Sequence, residues 1–112
     1  MYVIDLGKSG RKVPTVAVGC MRISDMNERE VSAFIDTALS CGANFFDHAD
    51  IYGGGKSEEV FGKAMSPSMR ENILIQTKCG IRKGQFDFSC DYIVRERPMR
   101  RSGKCTTNDT LR

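Results

Sequence analysis

Three side chains of different chemistry stand out as a set that could act on one proton. Asp47 is a carboxylate closing the run Asn44-Phe45-Phe46, Tyr52 is a phenol five residues on, and Lys78 is an amine just past Ile73-Leu74-Ile75. A phenol, with a pKa of about 10, gives up its proton reluctantly at neutrality. A neighbouring ammonium favours the phenolate and so brings a phenol closer to useful proton transfer. A partly buried ammonium needs a counter-charge in turn, which a carboxylate supplies. The set is coherent if the chain brings its members together.

Rival chemistries fit less well. Gly53-Gly54-Gly55-Lys56-Ser57 ends like a phosphate-binding P-loop. That pattern needs another glycine five residues before Gly55, and the sequence has Asp50 there, whose charge repels phosphate. The five cysteines, at 20, 41, 79, 90 and 105, include no C-x-x-C pair, and an odd number cannot pair completely. Free or buried thiols in a reducing compartment are expected, with no metal site. His48 is the sole histidine. Beside Asp47 in an extended segment it should point to the opposite face, and it reads as structural.

The elements that must position these groups follow from the hydrophobic pattern. Tyr2–Leu6 and Lys12–Pro14 flank the glycine-rich turn Gly7-Lys8-Ser9-Gly10 and read as a hairpin. Val16-Ala17-Val18, ending at Gly19, reads as a strand. Asn27 with Glu30 resembles a capping box opening a helix whose apolar face is Val31, Phe34, Ile35, Ala38 and Leu39. Gly42 suits the left-handed stop after it. A strand over Asn44–Asp47 follows. Ser57 is the expected cap of a second helix, with Val60, Phe61, Ala64 and Met65 inward and Pro67 ending it. Ile73–Ile75 with Thr77 makes a third strand. Strands starting near 16, 45 and 73, each pair enclosing an amphipathic helix, imply βαβ units of about 30 residues and a parallel sheet. The segment Gly19-Cys20-Met21-Arg22 lacks the dinucleotide fingerprint of a Rossmann sheet, so a barrel is favoured.

The segment from Gly42 to Gly53, Ala43-Asn44-Phe45-Phe46-Asp47-His48-Ala49-Asp50-Ile51-Tyr52 between them, resembles the second-strand motif of aldo-keto reductases. Ser57-Glu58-Glu59 with Gly62 continues the likeness, Ile73 to Gly80 resembles the family's third strand, and Val13-Pro14 to Ile23 its first strand and cofactor-facing loop. The resemblance runs over about residues 1–94. It implies NADP(H)-linked reduction of a small aldehyde or ketone, with Tyr52 as acid, Lys78 as its tuner and Asp47 as the lysine's partner. It further implies that Gly19, Met21 and Arg22, with Asp47, face the cofactor. In a barrel such residues belong at the C-terminal ends of strands, where these positions fall. The family's fourth active-site member, a histidine ending the fourth strand, has no counterpart here.

The expected fold is therefore α/β: an N-terminal hairpin plus the first three β/α units of a (β/α)8 TIM barrel, incomplete against the roughly 250 residues of a whole one. At 112 residues, 40% hydrophobic and 28% charged, the composition is that of a soluble globular chain and too apolar for disorder. Val16–Met21 is far too short to span a bilayer and the N-terminus has no signal-peptide pattern, so a cytoplasmic protein is expected. Residues 95–112 break the pattern. They carry Arg95, Arg97, Arg100, Arg101, Lys104 and Arg112 against Glu96 and Asp109, a net +4, within a chain of net +3. This segment reads as a basic, disordered tail outside the family, from a shifted reading frame or an alternative exon. It lacks the aromatic interleaving of a nucleic-acid binder. The alternative to an enzyme is a non-catalytic remnant or interaction module, and the truncated fragment alone is expected to be marginally stable and inactive.

Overall fold

The computed structural model describes residues 1–82 and 84–95. The expectations for the basic tail lie, from residue 96 onward, outside the described residues, as does Cys105. The chain opens with a hairpin of β1 (Val3–Asp5) and β2 (Lys12–Pro14), antiparallel with Val3 opposite Pro14 and Asp5 opposite Lys12. A Lys12–Asp5 ion pair closes it at 2.9 Å. Three parallel strands then form one sheet in sequence order, β3 (Val18–Gly19), β4 (Phe45–Asp47) and β5 (Leu74–Gln76). The sheet is the start of a barrel, as the spacing predicts, and it is not closed among the described residues.

Local chemistry explains the first helix. In α1 (Glu28–Ser40) the Asn27 side chain accepts from the Glu30 amide at 2.9 Å and the Glu30 carboxylate accepts from the Asn27 amide at 2.8 Å. This reciprocal pair satisfies two amides the first turn cannot pair internally. Gly42 ends the segment at φ 80°, a conformation open to glycine at little cost.

Two sequence readings need correction. Ser57 does not cap α2 (Lys56–Ala64); the cap is Gly55, at φ 95°. Left-handed Gly53, Gly54 and Gly55 turn the chain early, so Ser57 falls inside the first turn. Pro67 does not end that helix either. Met65 ends it in extended backbone, and Pro67 instead opens α3 (Pro67–Glu71), where its missing N–H costs nothing. Ser66 caps α3 by accepting from the Met69 amide at 3.2 Å. A short hairpin, β6 (Ile81–Arg82) with β7 (Gln85–Phe86), follows β5 and was not foreseen; α4 (Cys90–Arg95) comes next.

The core lies between the sheet and α1 and α2. Phe46, Phe61, Val31, Ile35 and Cys20 are fully enclosed, joined by Ile23, Ala64, Met65 and Ile73. Phe46 is its centre: its ring meets Phe61 at 5.2 Å and Phe34 edge-on at 6.4 Å. Because strand side chains alternate, burying Phe46 against the helices turns Phe45 and Asp47 to the other face. No helix among the described residues is long and apolar enough to cross a membrane. Replacing Phe46 by Ala is expected to cost about 3–5 kcal/mol, read as a lower urea midpoint. A loss below about 1 kcal/mol would show that the ring does not centre the core.

Candidate active site

The register of the parallel strands builds the site. Gly19, Asp47 and Gln76 lie side by side at the C-terminal ends of β3, β4 and β5. Two residues past Gln76, on the same face, the Lys78 side chain turns back across the sheet end. Its Nζ donates to both Asp47 oxygens, at 2.9 and 2.8 Å, and to the His48 carbonyl at 2.8 Å. Gln76 Nε2 adds a bond to Asp47 Oδ1 at 2.9 Å. The carboxylate is thus oriented by an ammonium and an amide from the neighbouring strand. Sequence reading missed Gln76, although the period of two that places Lys78 also places it.

Tyr52 reaches this cluster through the loop after β4. The Asp50 amide donates to the Lys78 carbonyl at 3.0 Å, tying that loop to the end of β5. The Asp50 carboxylate is buried and accepts from the Tyr92 hydroxyl of α4 at 2.5 Å, an anchor the sequence did not reveal. Tyr52 then sits with the Lys78 ammonium 5.1 Å from its ring centroid. The three residues singled out for proton chemistry therefore meet at one place.

Gly53 holds the loop close. At φ 59° it packs so tightly that an added Cβ would lie 2.4 Å from the Ser24 Cβ. Ser24 belongs to the short turn after β3, so this contact binds the first loop of the sheet to the Tyr52 loop. The glycine run is a left-handed entry to α2. Among the cofactor-side candidates, Gly19 borders Asp47, and a Cβ there would meet only open space. Met21 and Arg22 are exposed in the turn beyond, and Arg22 has no ion-pair partner among the described residues.

Electrostatics separate the groups that can hold charge from those that cannot. Burial pulls the Lys78 pKa down, but the hydrogen bonds and charges of Asp47 and Tyr52 more than offset it, so the net direction is up and the ammonium is kept. Cys20, fully buried beneath the Asp47 charge, is pushed up to about 12 by burial first and Asp47 second, against a smaller opposing effect of Lys78. It stays a neutral thiol and is no nucleophile. His48 lies on the far face, its ring edge-on to Phe61 at 4.4 Å. Burial lowers its pKa to about 4, opposed by Asp47 and reinforced by Lys78.

Two stability measurements follow. Gly53→Ala and Gly54→Ala both force alanine into a left-handed φ, worth about 1–2 kcal/mol. Only Gly53 also meets a neighbour, since a Cβ on Gly54 has open space. Gly53→Ala should therefore be clearly the more destabilising, and equal losses would refute the Ser24 contact. For His48, both states are neutral above pH 6.5 and the group adds no pH dependence. Between 6.5 and about 4 the unfolded chain takes up a proton that the folded one refuses, so stability falls with the pH. At about 1.4 kcal/mol per pH unit the loss is roughly 3 kcal/mol. His48→Phe should flatten urea stability across that window relative to wild type; an unchanged slope would refute the buried neutral imidazole.

Comparison with known proteins agrees with this architecture. A model of the aldo/keto reductase family matches residues 15–102. The oxidoreductase YdhF of Escherichia coli is 38% identical over 82 residues, which cover 70% of this chain and 28% of that one. Versiconal hemiacetal acetate reductase of Aspergillus parasiticus is 40% identical over 83 residues, 66% of this chain and 24% of that one. The holo structure of an aldo-keto reductase from Bacillus halodurans superposes with a TM-score of 0.71 at 32% identity, over 85% of this chain and 33% of that one. The chain spans about a quarter of the length of the curated relatives it matches. It belongs to the aldo-keto reductase family, a family of oxidoreductases on the (β/α)8 barrel.

Proposed function

We propose that this chain contributes the proton-donating half of an NADP(H)-dependent site that reduces aldehydes or ketones to alcohols. The observation that carries the reading is the Lys78 ammonium, held by the Asp47 carboxylate and set 5.1 Å from the Tyr52 ring centroid. NADPH, when bound, would supply hydride to the carbonyl carbon. Tyr52 gives its phenolic proton to the carbonyl oxygen, so the developing alkoxide leaves as a neutral alcohol. The adjacent ammonium stabilises the phenolate left behind, which solvent then reprotonates. Asp47 keeps Lys78 charged and pointed at the phenol.

Gly19, Met21, Arg22 and Asp47 form the part of the cofactor site carried by these strands. The fit is physical: the space beside Gly19 is open, and the exposed guanidinium of Arg22, without an ion pair among the described residues, suits an anionic cofactor. The partner is a small carbonyl compound, and neither a membrane nor a nucleic acid enters the reading. Free thiols at Cys20, Cys41, Cys79 and Cys90 suit a reducing cytoplasm. Three parallel strands leave the mouth open on one side, so residues 1–112 by themselves are expected to turn over no carbonyl substrate.

The test places residues 15–94 into the Escherichia coli relative in place of the matching segment and follows NADPH oxidation by an aromatic aldehyde. The chimera should be active, and Tyr52→Phe should lower its kcat about 100-fold or more with little change in NADPH affinity. Activity that survives Tyr52→Phe would remove the proposed role of the phenol.

A further inference from the structure

His48 was read from the sequence as structural, and its side chain is indeed on the packing face. Its backbone, however, belongs to the site. The Lys78 ammonium donates to the Asp47 carboxylate at 2.9 and 2.8 Å and also to the His48 carbonyl at 2.8 Å. That carbonyl occupies an unusual place in the sheet. The ladder between the second and third parallel strands runs through His48 N–H to Gln76 carbonyl, 2.8 Å, and resumes at Asp50 N–H to Lys78 carbonyl, 3.0 Å. The rung between them would be Lys78 N–H to His48 carbonyl, and it is not formed among the described residues. The ammonium of the same residue takes that carbonyl instead.

The direction of the carbonyl is set by what holds the His48 residue. On one side its N–H is fixed to Gln76. On the other its imidazole is fully enclosed against the Phe61 ring, with neither nitrogen hydrogen-bonded. A buried ring without polar partners is held by shape, not by directional bonds. Nearby, just past the next strand, Thr77 bonds to the buried Glu58 carboxylate of α2 at 2.7 Å.

We propose that His48 is a positioning residue for Lys78: the neutral ring, wedged between sheet and α2, aims the carbonyl that accepts a hydrogen bond from the ammonium. With that bond the ammonium has one orientation toward Tyr52; without it the group rotates about its bond to the chain. The inference deepens the reading of Lys78 as the ammonium serving Tyr52, and the measurement below reads a hydrogen bond, not turnover. It can therefore fail while the reductase reading stands, and the reverse.

The experiment uses the full 112-residue chain labelled with 15N-lysine, at pH 7, and follows hydrogen exchange of the Lys78 Nζ protons. His48→Phe keeps the wedge and removes the nitrogens, so exchange should stay within about twofold of wild type. His48→Ala removes the wedge, and exchange should accelerate at least tenfold while amides of Val31 and Ile35 remain protected. Unchanged exchange in a folded His48→Ala chain, or rapid exchange in His48→Phe, would overturn the proposal. Acidification of the wild type gives a second readout that needs no truncation. The charged groups whose fields reach the imidazole are Asp47 and Lys78, on the opposite face of the sheet. Protonating a ring enclosed against Phe61 should loosen Lys78 at a pH where His48→Phe still protects it, and coincident acid profiles would also overturn the proposal.

Discussion

Asp47 and Lys78 are 31 residues apart in sequence, and they meet because two parallel strands end in register at the same edge of a sheet. The geometry of the candidate site depends on that meeting. The pair is not a stability device: its side chains are 27% and 49% exposed, and ion pairs so placed contribute about 1 kcal/mol or less. Its value is to hold a cation at a chosen point beside a phenol. Gln76 and the His48 carbonyl supply the remaining contacts that make the point a fixed one.

The period of two along a strand lets a three-residue segment serve two purposes. In β4 and the residue after it, Phe46 and His48 face the helices and close on Phe61, while Asp47 faces the site. The hydrophobic force that buries Phe46 therefore also orients Asp47, with no separate interaction required. Loops complete the work. Gly53 against Ser24 and Asp50 against Tyr92 fasten the Tyr52 loop to the turn after β3 and to α4.

Features that arise from near neighbours in sequence were legible in it. The Asn27–Glu30 capping box, the Gly42 stop and the first hairpin each depend on a few consecutive residues, and each is formed. The sheet was legible through regular strand spacing, and the trio Asp47, Tyr52 and Lys78 through spacing joined to family resemblance. What escaped was non-local or degenerate. Ser57 is a good cap by type, but three left-handed glycines start the helix earlier. Pro67 stops one helix and starts another with equal ease, and only the turn at Met65 decides between them. The Asp50–Tyr92 bond joins residues 42 positions apart with no shared pattern to announce it. Gln76 is a common strand residue whose role appears only once its register partner is known.

The central claim is that Tyr52 and Lys78 share one place because Asp47 holds the ammonium there. Nuclear Overhauser contacts between the Tyr52 ring protons and the Lys78 ε-methylene test it directly in the full chain. The account predicts strong contacts in the wild type and their loss in Asp47→Ala, with Phe46–Phe61 contacts retained in both. Absence of the Tyr52–Lys78 contacts in the folded wild type, or their persistence without the Asp47 carboxylate, would contradict it.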